Sequence, residues 1–417
     1  MSTPVTGSPR PYVLVATGAF LVMVANAIPL SILSIFTPFI TRDLGFDTGS
    51  FQIYYSLLAV ATALAMPLSG RLMTPLGARR ILLVGGVIST VGLIGLSLSR
   101  VLWHFYLSGA LLGFGVGLGC MFVPVVLVNT WFVARRGLAM GVVLAGTGVG
   151  GAVMSLLIPL VIGAGAGWRT GFLVLAAIMG MFTIAPTFLL IRNQPSDVGL
   201  LPYGGLAPQR ETPTSEPGMT FGQAMRSPWF HLFYLMIVLL GIIIAVVQSL
   251  SVHLDLIGLP AAIGPLMMII TLGLVFWKII LGVLVDVLGL RWAMLITLGL
   301  CAAAFLAMPG TTSMWILVLC MIGISAGTAN GTVIPPLAGA VAFGARDYPA
   351  IWGVGATAFS VGTAAGTPLW GWAQDLTGDF TLAFRLLPLL IVITIAGLFL
   401  AMNRGRAAYA EVLLSQA

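Results

Sequence analysis

The stretch Gly282-Val-Leu-Val-Asp286-Val-Leu-Gly289-Leu-Arg291 lies between two long apolar runs, and it has an earlier counterpart in Gly70-Arg-Leu-Met-Thr74-Pro75-Leu-Gly77-Ala-Arg79. Each copy has two glycines seven residues apart and an arginine two residues further on. A polar hinge of this kind between apolar runs reads as a tight turn at a membrane surface, because a helix needs about 20 apolar residues to cross a bilayer core. Working outward from the two hinges, such runs fall near 12–40, 50–74, 79–98, 103–132, 136–163, 168–192, 228–254, 261–286, 291–309, 313–341, 346–374 and 379–402. The long polar interruption, 193–227, is rich in Pro, Gly, Ser and Thr. The expected fold is an all-α membrane protein with twelve transmembrane helices in two pseudo-symmetric six-helix bundles. Residues 1–192 form the first bundle, 193–227 a cytoplasmic linker loop, and 228–417 the second bundle with a short cytoplasmic tail.

Composition agrees. The chain has 417 residues, of which 59% are hydrophobic and 7% charged. A soluble protein has about a quarter of its residues charged, so lipid must cover much of this surface. The net charge of +7 does not point to nucleic acid, since no basic run alternates with aromatics and the arginines sit at the ends of apolar stretches. With both termini inside, 13 arginines fall on the cytoplasmic side (Arg10, Arg71, Arg79, Arg80, Arg135, Arg136, Arg192, Arg210, Arg226, Arg291, Arg346, Arg404 and Arg406). Only Arg42, Arg100, Arg169 and Arg385 fall outside. This positive-inside bias places both termini in the cytoplasm, and the preference for arginine over lysine suggests a bacterial inner membrane. The first apolar run is too long for a signal peptide and has no convincing cleavage site. Cys120, Cys301 and Cys320 share no metal-ligand spacing and read as packing residues. No metal and no cofactor is expected. No catalytic constellation or nucleotide-binding loop appears, which argues against an enzyme and against ATP as energy source.

The halves match at a shift of about 212 residues: Gly70, Gly77 and Arg79 onto Gly282, Gly289 and Arg291, Gly115 onto Gly327, Gly141 onto Gly353, and Phe172 onto Phe384. Six spans per copy make the copies parallel about an axis along the membrane normal. In that architecture a substrate site lies near mid-membrane and rocking of the halves alternates access.

The hinge Gly282, Asp286, Gly289 and Arg291 resembles the signature loop of the major facilitator superfamily, where it helps gate the cytoplasmic side. The first copy has Thr74 and Pro75 where that family usually carries an acid and a base. A narrower resemblance, over nearly the whole chain, is to the oxalate:formate antiporter and monocarboxylate porter branch. It is carried by Asn129-Thr-Trp-Phe132 with Arg135-Arg-Gly-Leu-Ala139, the glycine run Gly146 to Gly151, Val252-His253-Leu254 with Ile257-Gly258-Leu259, and Tyr348 to Trp352. The run containing Gly146 and Gly150 partly resembles the family's antiporter motif, with Thr147 in place of the usual proline, and also reads as a small-xxx-small packing pair.

Lys278 is the only lysine, and it sits within the apolar run from Leu266 to Val285 of span 8. At about 1.5 Å per residue it lies roughly 18 Å and 11 Å from the two ends of that run. Its stem reaches about 6 Å, too short to snorkel to either surface. Burying the charge costs about 3 kcal/mol on insertion scales, and every Asp and Glu lies in a loop or at a span end. An anionic substrate would balance the charge; the plain alternative is a lysine held by backbone carbonyls or beside a hydrated gap. The resemblance implies that the branch carries its carboxylate-binding cation at this position, usually as arginine. It also implies a second basic residue in span 11 in members that handle oxalate. The matching residue here is Gly355, which favours a monocarboxylate.

Asn26 and Asn330, midway along spans 1 and 10, suit either substrate or cross-helix hydrogen bonds. Asn129 lies nearer the cytoplasmic end of span 4 and serves gate or packing. Tyr54 and Tyr55 either close the outer cavity or anchor at the interface. Gln248 and His253 lie near the outer end of span 7. Histidine titrates near neutral pH, and lysine, unlike arginine, can release its proton. His253 and Lys278 are therefore the proton-coupling candidates. His104 and His231 begin spans and read as interfacial. Trp352 is carried over from the branch as a residue lining the substrate cage. The branch's span 10 aromatics have no counterpart in the run from Gly327 to Thr332, which implies a roomier pocket. The expectation is a secondary transporter of a small organic anion, most simply a monocarboxylate, working as a monomer by proton symport or anion exchange. The alternative is efflux of a lipophilic drug or metabolite, in which case an acid, rather than a lysine, would be expected in a cavity for cations.

Overall fold

The computed structural model describes residues 10–120, 123–132, 136–204, 218–344 and 346–416; Arg135 and Arg210 lie outside them. Ten helices among the described residues are long and apolar enough to cross a membrane. They are α2 (Thr48–Met73), α3 (Pro75–Leu98), α4 (Leu102–Trp131), α5 (Ala139–Gly165), α6 (Gly167–Leu189), α7 (Pro228–Leu256), α8 (Pro260–Leu288), α9 (Leu290–Ala307), α10 (Met314–Phe343) and α12 (Thr381–Ala408). Two more complete the twelve: α1, which begins as Arg10–Ala25, and α11, Tyr348–Thr377.

The first span is less regular than its hydropathy suggests. After Ala25 it passes through a π-helical turn, Ile28–Ile32, and a 3-10 turn, Leu33–Phe36, before resuming as Thr37–Leu44. Pro29 and Pro38 lie in this stretch, and each removes one backbone donor from the helical ladder. A similar irregularity interrupts α7, where a 3-10 turn, Val246–Ser249, precedes Leu250–Leu256.

The chain forms two compact units. One comprises Met1–Phe46 and Ile53–Gln209; the other comprises Asp47–Gln52 and Arg210–Ala417. Hydropathy did not anticipate that the first residues of α2 belong to the second unit. There Asp375 Oδ1 accepts from Thr48 N at 3.1 Å and Oδ2 from Gly49 N at 2.7 Å. The buried Gln52 amide donates to Ser249 Oγ at 3.0 Å.

The internal repeat is visible in the backbone of each unit. Gly77 (φ 77, ψ 156) and Gly289 (φ 83, ψ 159) break the chain between helices in the same way. Only glycine adopts this region readily. The arginine two residues later then turns back onto the last helix of its own unit. Arg79 donates from Nη2 to Phe188 O at 2.8 Å and from Nε to Thr187 O at 3.2 Å. Arg291 Nη2 donates to Asn403 Oδ1, and its guanidinium lies 6.0 Å from the Phe399 ring centroid. A Cβ added to Gly115 would lie 2.6 Å from Ser89 N, and one added to Gly327 would lie 2.3 Å from Cys301 Sγ. Ser89 and Cys301 are themselves 212 residues apart, so the same helix pair is pressed together at the same place in both copies. Close approach of this kind is how small residues hold helices together where lipid offers no hydrophobic drive.

Candidate substrate-binding site

Lys278 lies on α8, ten residues before its last residue, Leu288. One face of this helix is an apolar exterior: Phe276, Ile279, Ile280, Val283 and Val287 are all exposed. Lys278 is also exposed, but on the other side. Residues three, four and seven apart share a helical face, which groups Lys278 with Thr271, Leu274, Leu281 and Val285. Thr271 and Leu281 are buried, and Leu274 and Val285 pack against the core. The ammonium therefore opens on the side of α8 turned away from its lipid-type stripe.

No hydrogen bond or ion pair reaches Lys278 Nζ among the described residues. Those carboxylates of this unit whose side chains are described stand at helix ends or in the turns between them: Asp47, Asp255, Asp286, Asp347, Asp375 and Asp379. An exposed cation on the inner side of a helix, with no acid at its level among the described residues, can attract an anion.

From the end of the unit where α8 meets α9 up to about this level, aromatic and hydroxyl groups face one another. Trp277 and Leu274 on α8, Tyr234 on α7, and Trp352 and Phe359 on α11 all pack against one buried cluster. Tyr234 and Thr357 share a hydrogen bond of 3.1 Å. Counting about 1.5 Å per residue from the same end of the unit, Tyr234 is about 9 Å in, Thr357 about 14 Å and Lys278 about 15 Å. Trp352 spreads its ring over Gly355, where an added Cβ would come within 3.2 Å of it. Phe359 covers Gly331 of α10 in the same manner, at 2.6 Å. The run from Gly327 to Thr332, which has no aromatic side chain, is thus covered in part by the Phe359 ring of α11.

The remaining candidates are placed as follows. Asn330 is buried, donates to Ala326 O at 3.0 Å and pairs across helices with the Thr297 hydroxyl at 2.9 Å. In the second unit, half-buried Gln248 lies in the 3-10 turn of α7. Buried His253 lies edge-on to Phe384 at 4.8 Å and Phe380 at 6.1 Å, towards the end of α7 away from Lys278. Its Nε2 has no hydrogen-bond partner among the described residues. In the first unit, Asn26 sits at the break of α1, buried, with Oδ1 unpartnered among the described residues and Nδ2 directed at Met23 Sδ, 3.8 Å away. Tyr54 and Tyr55 are both buried, with ring centroids 4.2 Å apart. Asn129 is half-buried on α4. In the hinge, Gly282 is half-buried while Asp286, Gly289 and Arg291 are exposed. Of these residues, Trp352 packs against the same buried cluster as Leu274 and Trp277 of α8. The Tyr234–Thr357 pair was missed because a single tyrosine and threonine on separate spans carry no spacing signal.

Comparison with known proteins agrees with this architecture. Monocarboxylate transporter 11 of Homo sapiens is 29% identical over 372 residues, covering 84% of this chain and 73% of that protein. Monocarboxylate transporter 3 of Mus musculus is 32% identical over 149 residues, 35% of this chain and 30% of that protein. Among solved structures, a bacterial homologue of the human lysosomal transporter Spinster, inward-facing and unoccupied, matches with a TM-score of 0.68. It is 16% identical, over 97% of this chain and 98% of that one. The nucleoside transporter NupG matches with a TM-score of 0.70 and 14% identity, over 94% of this chain and 98% of that one. These structural likenesses concern the fold alone. The family pattern of the Major Facilitator Superfamily matches residues 16–367, and with twelve helices and a twofold repeat in place the chain belongs to that superfamily.

Proposed function

We propose that this membrane transporter carries a small organic anion, a monocarboxylate, by alternating access, with Lys278 as the group that binds the carboxylate. The observation that carries the reading is the position of Lys278: exposed on the inner side of α8, mid-helix, with no acid at its level. A charge there costs about 3 kcal/mol on insertion scales, and an anion that arrives with the substrate recovers part of it. The Tyr234–Thr357 pair and the Trp352 ring supply polar and apolar surface suited to the remainder of a small acid. Gly355 carries no second charge, which matches one carboxylate rather than two. The names of the relatives, monocarboxylate transporters, support the substrate class.

Energy comes from proton symport or from exchange of one anion for another. In this reading the protein works as a monomer in a bacterial inner membrane, and the arginine distribution favours a cytoplasmic position for both termini.

The test is thermal stabilisation of the purified protein by a panel of organic acids, wild type beside Lys278→Gln. A ligand that binds only the folded state raises its apparent stability by mass action. Monoacids should stabilise the wild type and leave the variant unmoved. Stabilisation by neutral or cationic lipophiles alone, equal in both proteins, would instead establish efflux of lipophilic compounds.

A further inference from the structure

A second basic site lies away from Lys278, at the end of the second unit where α8 gives way to α9. A cleft of about 290 Å³ opens there between the end of α8, the start of α9 and the late turns of α10 and α12. Its polar lining is Arg291, Arg406 and Asn403; its apolar walls include Leu288, Trp292, Val341 and Met402. No carboxylate lines it among the described residues, and Asp286, on the preceding turn of α8, is not part of the wall. Arg291 is held in place by its bond to Asn403 and its position near the Phe399 ring. Trp292 is 62% exposed, Leu288 46% and Val341 42%.

These features define what would fill the cleft. Two guanidinium groups converge at the end of a membrane-spanning helix, the level at which phospholipid headgroups lie. Guanidinium forks match the geometry of phosphate oxygens, and tryptophan settles at the headgroup level of a bilayer. The walls next to the arginines are exposed and apolar, as the upper part of an acyl chain requires. A soluble anion would gain nothing from Leu288, Val341 and Trp292.

We propose that this cleft is a binding site for the phosphate group of an anionic phospholipid, with Arg291 and Arg406 as its ligands. Because Arg291 also ties α9 to α12 through Asn403, a lipid seated there would bear on the hinge between α8 and α9.

The experiment is native mass spectrometry of the full-length protein released from micelles containing phosphatidylglycerol or phosphatidylcholine. Wild type should retain phosphatidylglycerol in preference to phosphatidylcholine. A basic side chain near an anionic lipid surface contributes about 1 kcal/mol, so Arg406→Gln should weaken that retention about fivefold and Arg291→Gln by a similar factor. Arg291→Gln also removes a structural bond, so its thermal unfolding is measured alongside; if it does not fold, Arg406→Gln alone decides. Equal retention of the two lipids by wild type, or undiminished phosphatidylglycerol binding in Arg406→Gln, would overturn the proposal. Displacement of the lipid by inorganic phosphate, with equal stabilisation, would overturn it in favour of a site for free phosphate.

Discussion

Gly150 and Gly362 stand 212 residues apart and do the same work in the two units. A Cβ on Gly150 would lie 2.2 Å from the carbonyl oxygen of Val24, and one on Gly362 would lie 2.1 Å from that of Val238. In each unit the fifth helix of the bundle therefore rests directly on the backbone of the first. The contact is with main chain, which cannot swing aside as a side-chain tip can.

Alanine at either position should consequently force the two helices apart. Overpacking of this kind costs about 1–3 kcal/mol, so thermal unfolding in detergent should shift downwards by similar amounts for Gly150→Ala and Gly362→Ala. Gly141, beside which an added Cβ meets nothing within 4 Å, serves as the control. A Gly141→Ala protein as destabilised as the other two would refute the close-approach explanation.

The two hinge glycines share their backbone angles but differ in surroundings. Beside Gly77 a Cβ would meet Asn193 Oδ1 at 2.8 Å, while beside Gly289 it would meet nothing within 4 Å. Both alanine variants incur backbone strain of about 1–3 kcal/mol. Only Gly77→Ala also disturbs the acceptance by Asn193 Oδ1 of the Arg79 N–H. We expect Gly77→Ala to melt at a lower temperature than Gly289→Ala, and the reverse order would contradict the geometry.

If Lys278 carries the proton as well as binding the anion, its two substitutions should separate those roles. Arginine keeps the charge but does not release a proton in proteins. Lys278→Arg should thus retain anion binding and anion exchange in proteoliposomes and lose accumulation driven by a proton gradient. Lys278→Gln should weaken binding about tenfold or more, since a hydrogen bond to a charged group is worth about 1.5–3 kcal/mol. Full proton-driven accumulation by the arginine protein would assign the proton to another route.

A charge introduced at Gly355 tests the proposal that a single cation favours one carboxylate over two. The Trp352 ring covers this position closely enough that any side chain must displace it. Gly355→Arg should move the ring and add a second cation, raising competition by dicarboxylates relative to monocarboxylates by about tenfold in uptake assays. Gly355→Ala moves the ring without the charge. If alanine shifted the preference as much as arginine, pocket shape rather than charge would set it.

Much of this was legible in the chain itself. Lipid around a helix demands long apolar runs and internally satisfied backbones, so twelve spans, two hinges and a duplicated pattern of glycines are properties of local sequence. The isolation of Lys278 was equally visible, because the absence of acids from the spans is a matter of counting. What counting could not supply was rotation and partnership. Asn330 suits a substrate or a cross-helix bond equally in the sequence, and only the structure brings Thr297 of α9 to it. His253 looks interfacial until Phe380 and Phe384 enclose it, and Tyr54 and Tyr55 prove to be buried against each other. Hydropathy is a sum over neighbours in sequence, whereas the face a side chain presents depends on how each helix is turned against the others. That turn is decided by contacts such as Gly150 on Val24, between residues more than a hundred positions apart.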